Sequence, residues 1–374
     1  MSVTFRPPWK GELTPRERFN CQMRSEPVDR SFHMEFGYWD ENYTVWEAFA
    51  KNGIKHEWEA NRAFSFDPIH VVSGWNCVWM NPYFERKVIA RNGEKVTIQD
   101  HNGLTAEKFE SHSATIPHYT KSSITTPDDW LKVKRERFDP TTPSRRPNVA
   151  ELIEQHPPTR DYPLGIYAGS MIGNIRDMLT FEGLCYAYAD YPEMLEDMVE
   201  TACVLMENYL DAVLGRIDFD YASGWEDICF NYGPILPPKF FEDVIAPRYK
   251  RIAKKLTNSG IDLWYTDCDG DVRPLLKVFL DSGINCLFPY EVNSCAHPGE
   301  LLDAHPGLRI MGGVDKMQMI KGGEAITSYL ETLVPYVKRG GFIPFCDHRC
   351  PPDVTWENYL FYLDEKERLF GRLS

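Results

Sequence analysis

From residue 162 onward the chain alternates short apolar runs with longer amphipathic stretches, and this rhythm restricts the fold more than any other feature. The runs Leu164–Ala168, Ile217–Ala222, Ile261–Thr266, Ile284–Phe288, Leu308–Met311 and Phe342–Phe345 read as strands. Between them lie helical patterns. The clearest is Glu193–Leu214, where Leu195, Met198, Ala202, Leu205 and Tyr209 step by three or four. Helix Phe240–Leu256 is expected to kink at Pro247. Strands joined through helical crossovers pair in parallel. Phe32–Phe36 and Ile69–Val72 supply two more candidates, which brings the number to the eight that close a (β/α)8 TIM barrel. A doubly wound open sheet is the rival, but no Gly-rich phosphate loop follows any strand. Tyr83–Ala90 and Lys95–Asp100, joined through Asn92-Gly93, read as a β-hairpin. The expectation is one barrel domain over residues 1–374, with an N-terminal β-hairpin insertion at 83–110.

Charge and composition narrow the function. Forty-one Lys and Arg against 55 Asp and Glu give a net charge of −14, so the basic face of a nucleic-acid binder is missing. No apolar run approaches the roughly 18 residues that would span a bilayer. Met1–Lys10 is polar and shows no apolar signal core, so the chain reads as cytoplasmic. Its ten scattered cysteines then read as reduced thiols. A small molecule or a protein partner is the expected ligand.

In a barrel of this type the chemistry sits at the carboxyl ends of the strands. Those positions hold Trp225-Glu226-Asp227, Asp267-Cys268-Asp269-Gly270-Asp271, Pro289-Tyr290-Glu291, Gly312 to Lys316 after Met311, and Cys346-Asp347-His348-Arg349-Cys350. Asp267 and Asp269 are two apart and point the same way from a continuing strand. Cys346, His348 and Cys350 share a face on the same condition. Zinc accepts thiolate, imidazole and carboxylate, and a catalytic site takes three protein ligands and leaves one position open. The same side chains could instead hydrogen-bond a substrate. Tyr38, Trp39, Trp75, Trp79, Tyr83 and Trp225 are candidates for an aromatic wall, with Tyr290 and Met311 at strand ends beside them.

The same residues carry a family resemblance. Leu13–Phe19 (LTPRERF) with Glu26–Arg30 (EPVDR) resembles the opening of uroporphyrinogen-decarboxylase-like proteins. So do Trp225-Glu226-Asp227, Asp269-Gly270-Asp271, Gly283-Ile284-Asn285 leading to Pro289-Tyr290-Glu291, Gly312–Lys316, and Asp347-His348 running into Pro351–Val354 and Glu357–Tyr359. The set spans nearly the whole chain in order and implies a (β/α)8 barrel. True decarboxylases of the family carry an arginine-rich segment that grips porphyrinogen carboxylates. His33–Trp39 (HMEFGYW) stands there in this chain and has no arginine. The resemblance therefore points to the cobalamin-dependent methyltransferase branch. Some members of that branch bind zinc through a His-x-Cys-Gly segment and a later Cys. Asp267-Cys268-Asp269-Gly270 falls on the first and His348 on the second, which implies Asp267, Asp269 and His348 as ligands, with Cys268 and Cys346 as alternatives.

Carboxylates and imidazole make a harder site than thiolates and suit an oxygen ligand. An aryl methyl ether fits, and branch members act in O-demethylation. The resemblance thus implies a methoxyaromatic substrate and methyl transfer to the Co(I) corrinoid of a separate carrier protein; a homodimer is compatible with it. The leaving phenolate needs a Lewis acid or a proton donor, since a phenol pKa lies near 10. Zinc would be the first, and Glu226, Asp227 or Tyr265 the second. Two alternatives stay open: a lyase decarboxylating a small or tetrapyrrolic acid, and a non-catalytic binder of a corrinoid protein or tetrapyrrole.

Overall fold

In a computed structural model the described residues are 3–109 and 117–373. Residues 1, 2 and 110, which the sequence reading included in the N-terminal stretch and the insertion, lie outside them. Seven strands form one parallel sheet: β1 (His70–Val72), β2 (Leu164–Tyr167), β3 (Tyr221–Trp225), β4 (Trp264–Asp267), β5 (Cys286–Tyr290), β6 (Arg309–Val314) and β7 (Phe342–Cys346). Each is hydrogen-bonded to the next in chain order. Helices cross over between consecutive strands, the longest being Pro192–Val213. The fold is thus TIM-barrel-like.

The eighth strand expected at Phe32–Phe36 is absent, and the ladder between β7 and β1 does not close. The segment nevertheless fills the gap. Phe32 and Met34 join the inner cluster with Tyr221, Leu263, Phe288 and Phe345, and Phe19 and Met23 of helix Pro15–Met23 belong to the same cluster. Its backbone, however, is satisfied mostly by side chains, with His33 O accepting from Asp67 N at 2.7 Å, and not by a neighbouring strand. Phe32 N donates to Gln22 Oε1 at 2.6 Å and His33 N to Asp67 Oδ2 at 2.9 Å. Met34 O accepts from Lys366 Nζ at 2.9 Å. On the β7 side, Cys346 N donates to the Glu35 carboxylate at 3.1 Å. Buried backbone groups must be paired, and here polar side chains do the pairing that a strand would do.

Two further differences have local causes. The strand expected at Ile217–Ala222 begins at Tyr221. Ile217 and Phe219 are buried but unladdered, and the buried Asp220 carboxylate fixes the entry by accepting from Leu164 N, Arg160 and Arg16. The expected kink at Pro247 takes the form of a π-helical turn over Phe241–Ile245 just before it. The wider turn accommodates a residue that lacks an N–H.

Between β1 and β2 the chain forms a separate four-stranded antiparallel sheet of Lys87–Asn92, Lys95–Gln99, Thr105–Phe109 and His118–Lys121. No helix among the described residues is long and apolar enough to cross a membrane.

Candidate functional site

The carboxyl ends of the strands converge on three side chains. Asp269, Glu291 and His348 bring one ligand atom each to within 4.8 Å of one another, and all three are partly open to solvent. They follow β4, β5 and β7. His348 Nε2 lies 3.3 Å from Asp269 Oδ2. Asp269 Oδ1 is buried and has no hydrogen-bond partner. Glu291 is held in place by Gly270 N on one oxygen at 2.9 Å and by Lys316 Nζ on the other at 3.2 Å. Gly270 makes this loop possible. It has φ +82°, and a Cβ there would sit 2.7 Å from the Cys229 carbonyl carbon. Two carboxylates and an imidazole, with one carboxylate oxygen orphaned, fit a zinc-like divalent cation with an open position.

Asp347 braces this group. It is fully buried, accepts from Val292 N at 3.2 Å and Lys316 N at 3.3 Å, and lies 3.6 Å from Lys316 Nζ. Burial raises its carboxyl to about 6, against the opposing pull of Lys316. Asp347 thereby ties together the ends of β5, β6 and β7.

Of the ligands implied by the sequence, the structure groups Asp269 and His348, and Glu291 stands where Asp267 was expected. Strand β4 ends at Asp267, so the two-residue alternation that would have aligned the two aspartates stops there. Asp267 remains nearby. Burial, then the carboxylates of Asp269 and Asp227, push its carboxyl well above the usual range, with Arg349 opposing. The thiols lie apart from the group. Cys268 is buried and hydrogen-bonded with Cys229, which together with burial pushes it well up. Cys346 is fully buried and hydrogen-bonded with Cys350.

Glu226 is occupied structurally. Its carboxylate is 1 % exposed and accepts from Met171 N, Ile172 N, Gly173 N and the Tyr249 hydroxyl at 2.5–3.0 Å. It fastens the loop after β2 and is not directed at the mouth. Asp227 adopts φ +44°, a strained conformation for a non-glycine residue, and Arg176 holds it through both its carbonyl and its carboxylate.

The aromatic candidates divide. Tyr38 is core: its hydroxyl meets that of Tyr359 at 2.7 Å and its ring packs on Trp46 and Phe49. Tyr290 is buried and donates to Ala296 O at 3.1 Å, and Met311 is fully buried in the inner cluster. Trp39, by contrast, is 44 % exposed and its ring lies 5.9 Å from that of His348. Tyr265 belongs to a series of rings that climbs the inside of the sheet. It stacks on Tyr221 at 5.8 Å and meets Phe288, tilted, at 4.9 Å; Phe288 meets Phe36 at 4.8 Å, and Phe36 meets His348 at 5.6 Å. The expected wall missed Phe36, whose neighbours gave no sequence signal beyond an apolar alternation.

Trp75 and Trp225 lie on the other side of the mouth. Trp75 stacks on Tyr167 at 5.3 Å, and the Arg176 guanidinium lies 5.3 Å over the Trp225 ring. Trp75 also lines a cavity of about 1180 Å³ between the ends of β1–β3 and the antiparallel sheet, with Trp79, Tyr83, Asn174 and Arg176.

A methyltransferase from Methanosarcina mazei has a similar solved structure, with a TM-score of 0.54 over 96% of this chain and 99% of that one, at 13% identity. At that identity the likeness is one of fold. No family model and no curated protein matches the chain.

Proposed function

We propose that the protein is a methyltransferase that removes the methyl group of a methoxylated aromatic compound and delivers it to the Co(I) corrinoid of a separate carrier protein. The observation that carries this reading is the Asp269–Glu291–His348 group at the strand ends, set at the rim of the ring series from Tyr221 to Phe36. A flat apolar ring and an oxygen to polarise are what such a site accommodates. The fold shared with a methyltransferase supports it.

Asp269, Glu291 and His348 would hold the metal, and zinc bound there would supply a Lewis acid for the ether oxygen. The rest falls to the chain. Phe36 and Trp39, packed around His348, hold the arene by its face. Asp267, whose carboxyl is raised first of all by burial, is the group placed to give a proton at the mouth. The corrinoid cobalt, as methyl acceptor, attacks the methyl carbon in line. The C–O bond breaks, its electron pair stays on oxygen, and Asp267 protonates that oxygen to give the phenol. Cobalt goes from Co(I) to methyl-Co(III), so methyl ether, Co(I) and a proton become phenol and methylated cobalt.

The test is incubation of the protein with Co(I) cobalamin and a panel of methoxyarenes, following the cobalamin spectrum and phenol release together. Methyl-Co(III) and phenol in equal amounts are expected. Phenol without methylated cobalt, or CO2 released from an aromatic or pyrrolic acid, would overturn the reading.

A further inference from the structure

The cavity beside the mouth has a charge pattern that selects among arenes. Its apolar lining is mostly aromatic, with Trp75, Trp79, Tyr83, Tyr119, Phe181 and Phe230 beside Leu104 and Ile235. Its titratable lining is Asp100, Asp177, Glu182, the imidazoles of His101 and His118, and one guanidinium, Arg176. Arg176 is fully committed. Its Nε and Nη2 donate to Asp177 Oδ1 at 3.1 and 2.8 Å, and its Nη1 is held by the carbonyl and carboxylate of Asp227. The face of its guanidinium rests on Trp225. No N–H fork is left for an incoming carboxylate. Arg86 does not line the cavity; it faces His101 Nδ1 at 3.0 Å, and burial with Arg86 beside it lowers that imidazole, which favours its neutral form. Glu182 is exposed, and Asp100 spends one oxygen on the backbone N–H of Asn102 and Leu104. Among the described residues the lining therefore combines aromatic faces and neutral polar groups with more carboxylates than guanidinium or ammonium groups.

We infer that this cavity seats the arene's ring substituent and prefers a cationic group, then an uncharged one, over a carboxylate. Ammonium groups are attracted both to ring faces and to the surplus carboxylates. A carboxylate would meet Asp177 and Glu182 with no free guanidinium to offset them, only side-chain amides and hydroxyls such as Asn174 and Thr180. The cavity lies beside the strand end that leads to the metal-type group: Arg176 of its lining binds Asp227 and covers Trp225, which pairs with Asp267 of β4. This rests on the methoxyarene reading for the ligand's ring alone, because binding is measured without methyl transfer.

Three probes of one shape decide it: 4-methoxyphenethylammonium, 4-methoxyphenethyl alcohol and 4-methoxyphenylacetate, titrated by calorimetry against the whole chain at neutral pH. The amine should bind about tenfold or more tighter than the carboxylate, with the alcohol between. Glu182→Gln, which alters an exposed side chain, should narrow the spread. Trp75→Ala should weaken all three and keep their order. Equal affinities, the reverse order, no binding of any probe, or indifference to Trp75→Ala would overturn the inference. Binding in the expected order without cobalt methylation would leave it standing and sink the methyl-transfer reading instead.

Discussion

The Lys366 ammonium lies 2.6 Å from the Glu35 carboxylate, with both side chains sealed from solvent in the gap between β7 and β1. Glu35 also accepts from the Tyr362 hydroxyl at 2.7 Å and from Cys346 N. Desolvation of two charges is costly, and only complete pairing offsets it. Lys366→Met should therefore destabilise the protein by about 3–5 kcal/mol, because it strands the Glu35 charge. Adding Glu35→Leu should recover part of that loss and not all, since Cys346 N and Tyr362 would then lack a partner. Urea unfolding of both variants checks this. An unchanged midpoint for Lys366→Met would show that the pair does not hold the gap.

Metal content should separate the three grouped residues from their neighbour. Glu291→Gln and His348→Ala each remove a ligand and should lower zinc affinity by more than the 10–100-fold typical of losing an outer-shell partner. Asp267→Asn should leave the bound zinc near one per chain. Elemental analysis after dialysis against a weak chelator reads all three. Loss of metal in Asp267→Asn with retention in Glu291→Gln would reverse the assignment.

How these residues were or were not visible in the sequence follows from what spacing can carry. The strand rhythm was visible because parallel strands buried on both faces read as short apolar runs, as all five residues of β5 and of β7 are. Carboxylates and a histidine at those strand ends marked the mouth. Spacing along one segment, however, does not say which loops converge. Asp267 and Asp269 looked paired, while the true neighbour of Asp269, Glu291, lies one strand away and depends on the turn at Gly270. Glu226 looked like an acid in a cleft, and only the folded loop at 171–173 uses it up. At Phe32–Phe36 the alternation had strand form and even points inward as in a strand. What it lacks is a laddered neighbour, a property of Gln22, Asp67 and Lys366 far away in sequence.

Stability should respond to a single buried imidazole. His33 is 1 % exposed, stacks on Trp9 at 3.8 Å, and neither ring nitrogen has a partner. Burial, with Lys366, Arg30 and Arg6 nearby, lowers its pKa well below the ordinary value. The folded protein holds His33 neutral while the unfolded chain protonates it near pH 6.5. Below that pH the unfolded state binds the extra proton, so stability falls as pH falls, by up to about 1.4 kcal/mol per unit. Asp347 works in the opposite direction between its unfolded value and about 6, so the comparison must be made against His33→Phe. The stability difference between wild type and variant should move in favour of the variant from pH 7 to pH 5. A difference that stays flat over that range would mean that the imidazole is not held neutral.

Turnover should depend on Asp267 in a way that depends on the leaving group. Asp267→Asn keeps the shape of the side chain and removes its proton, so kcat should fall by about 10²–10⁴-fold with KM for the arene little changed. Tyr265→Phe is the control. The Tyr265 hydroxyl is hydrogen-bonded with Ser223 and raised by burial, and its ring serves the series beneath the mouth, so the loss should be under about tenfold. A proton donor matters most when the departing oxygen is basic. Methyl ethers of phenols with electron-withdrawing groups should therefore lose much less rate in Asp267→Asn than ethers of electron-rich phenols. Plotting rate against phenol acidity should give a steeper line for the variant than for wild type. Parallel lines would mean that Asp267 shapes the mouth without giving a proton, and a metal bound by Asp269, Glu291 and His348 would then have to stabilise the phenolate alone.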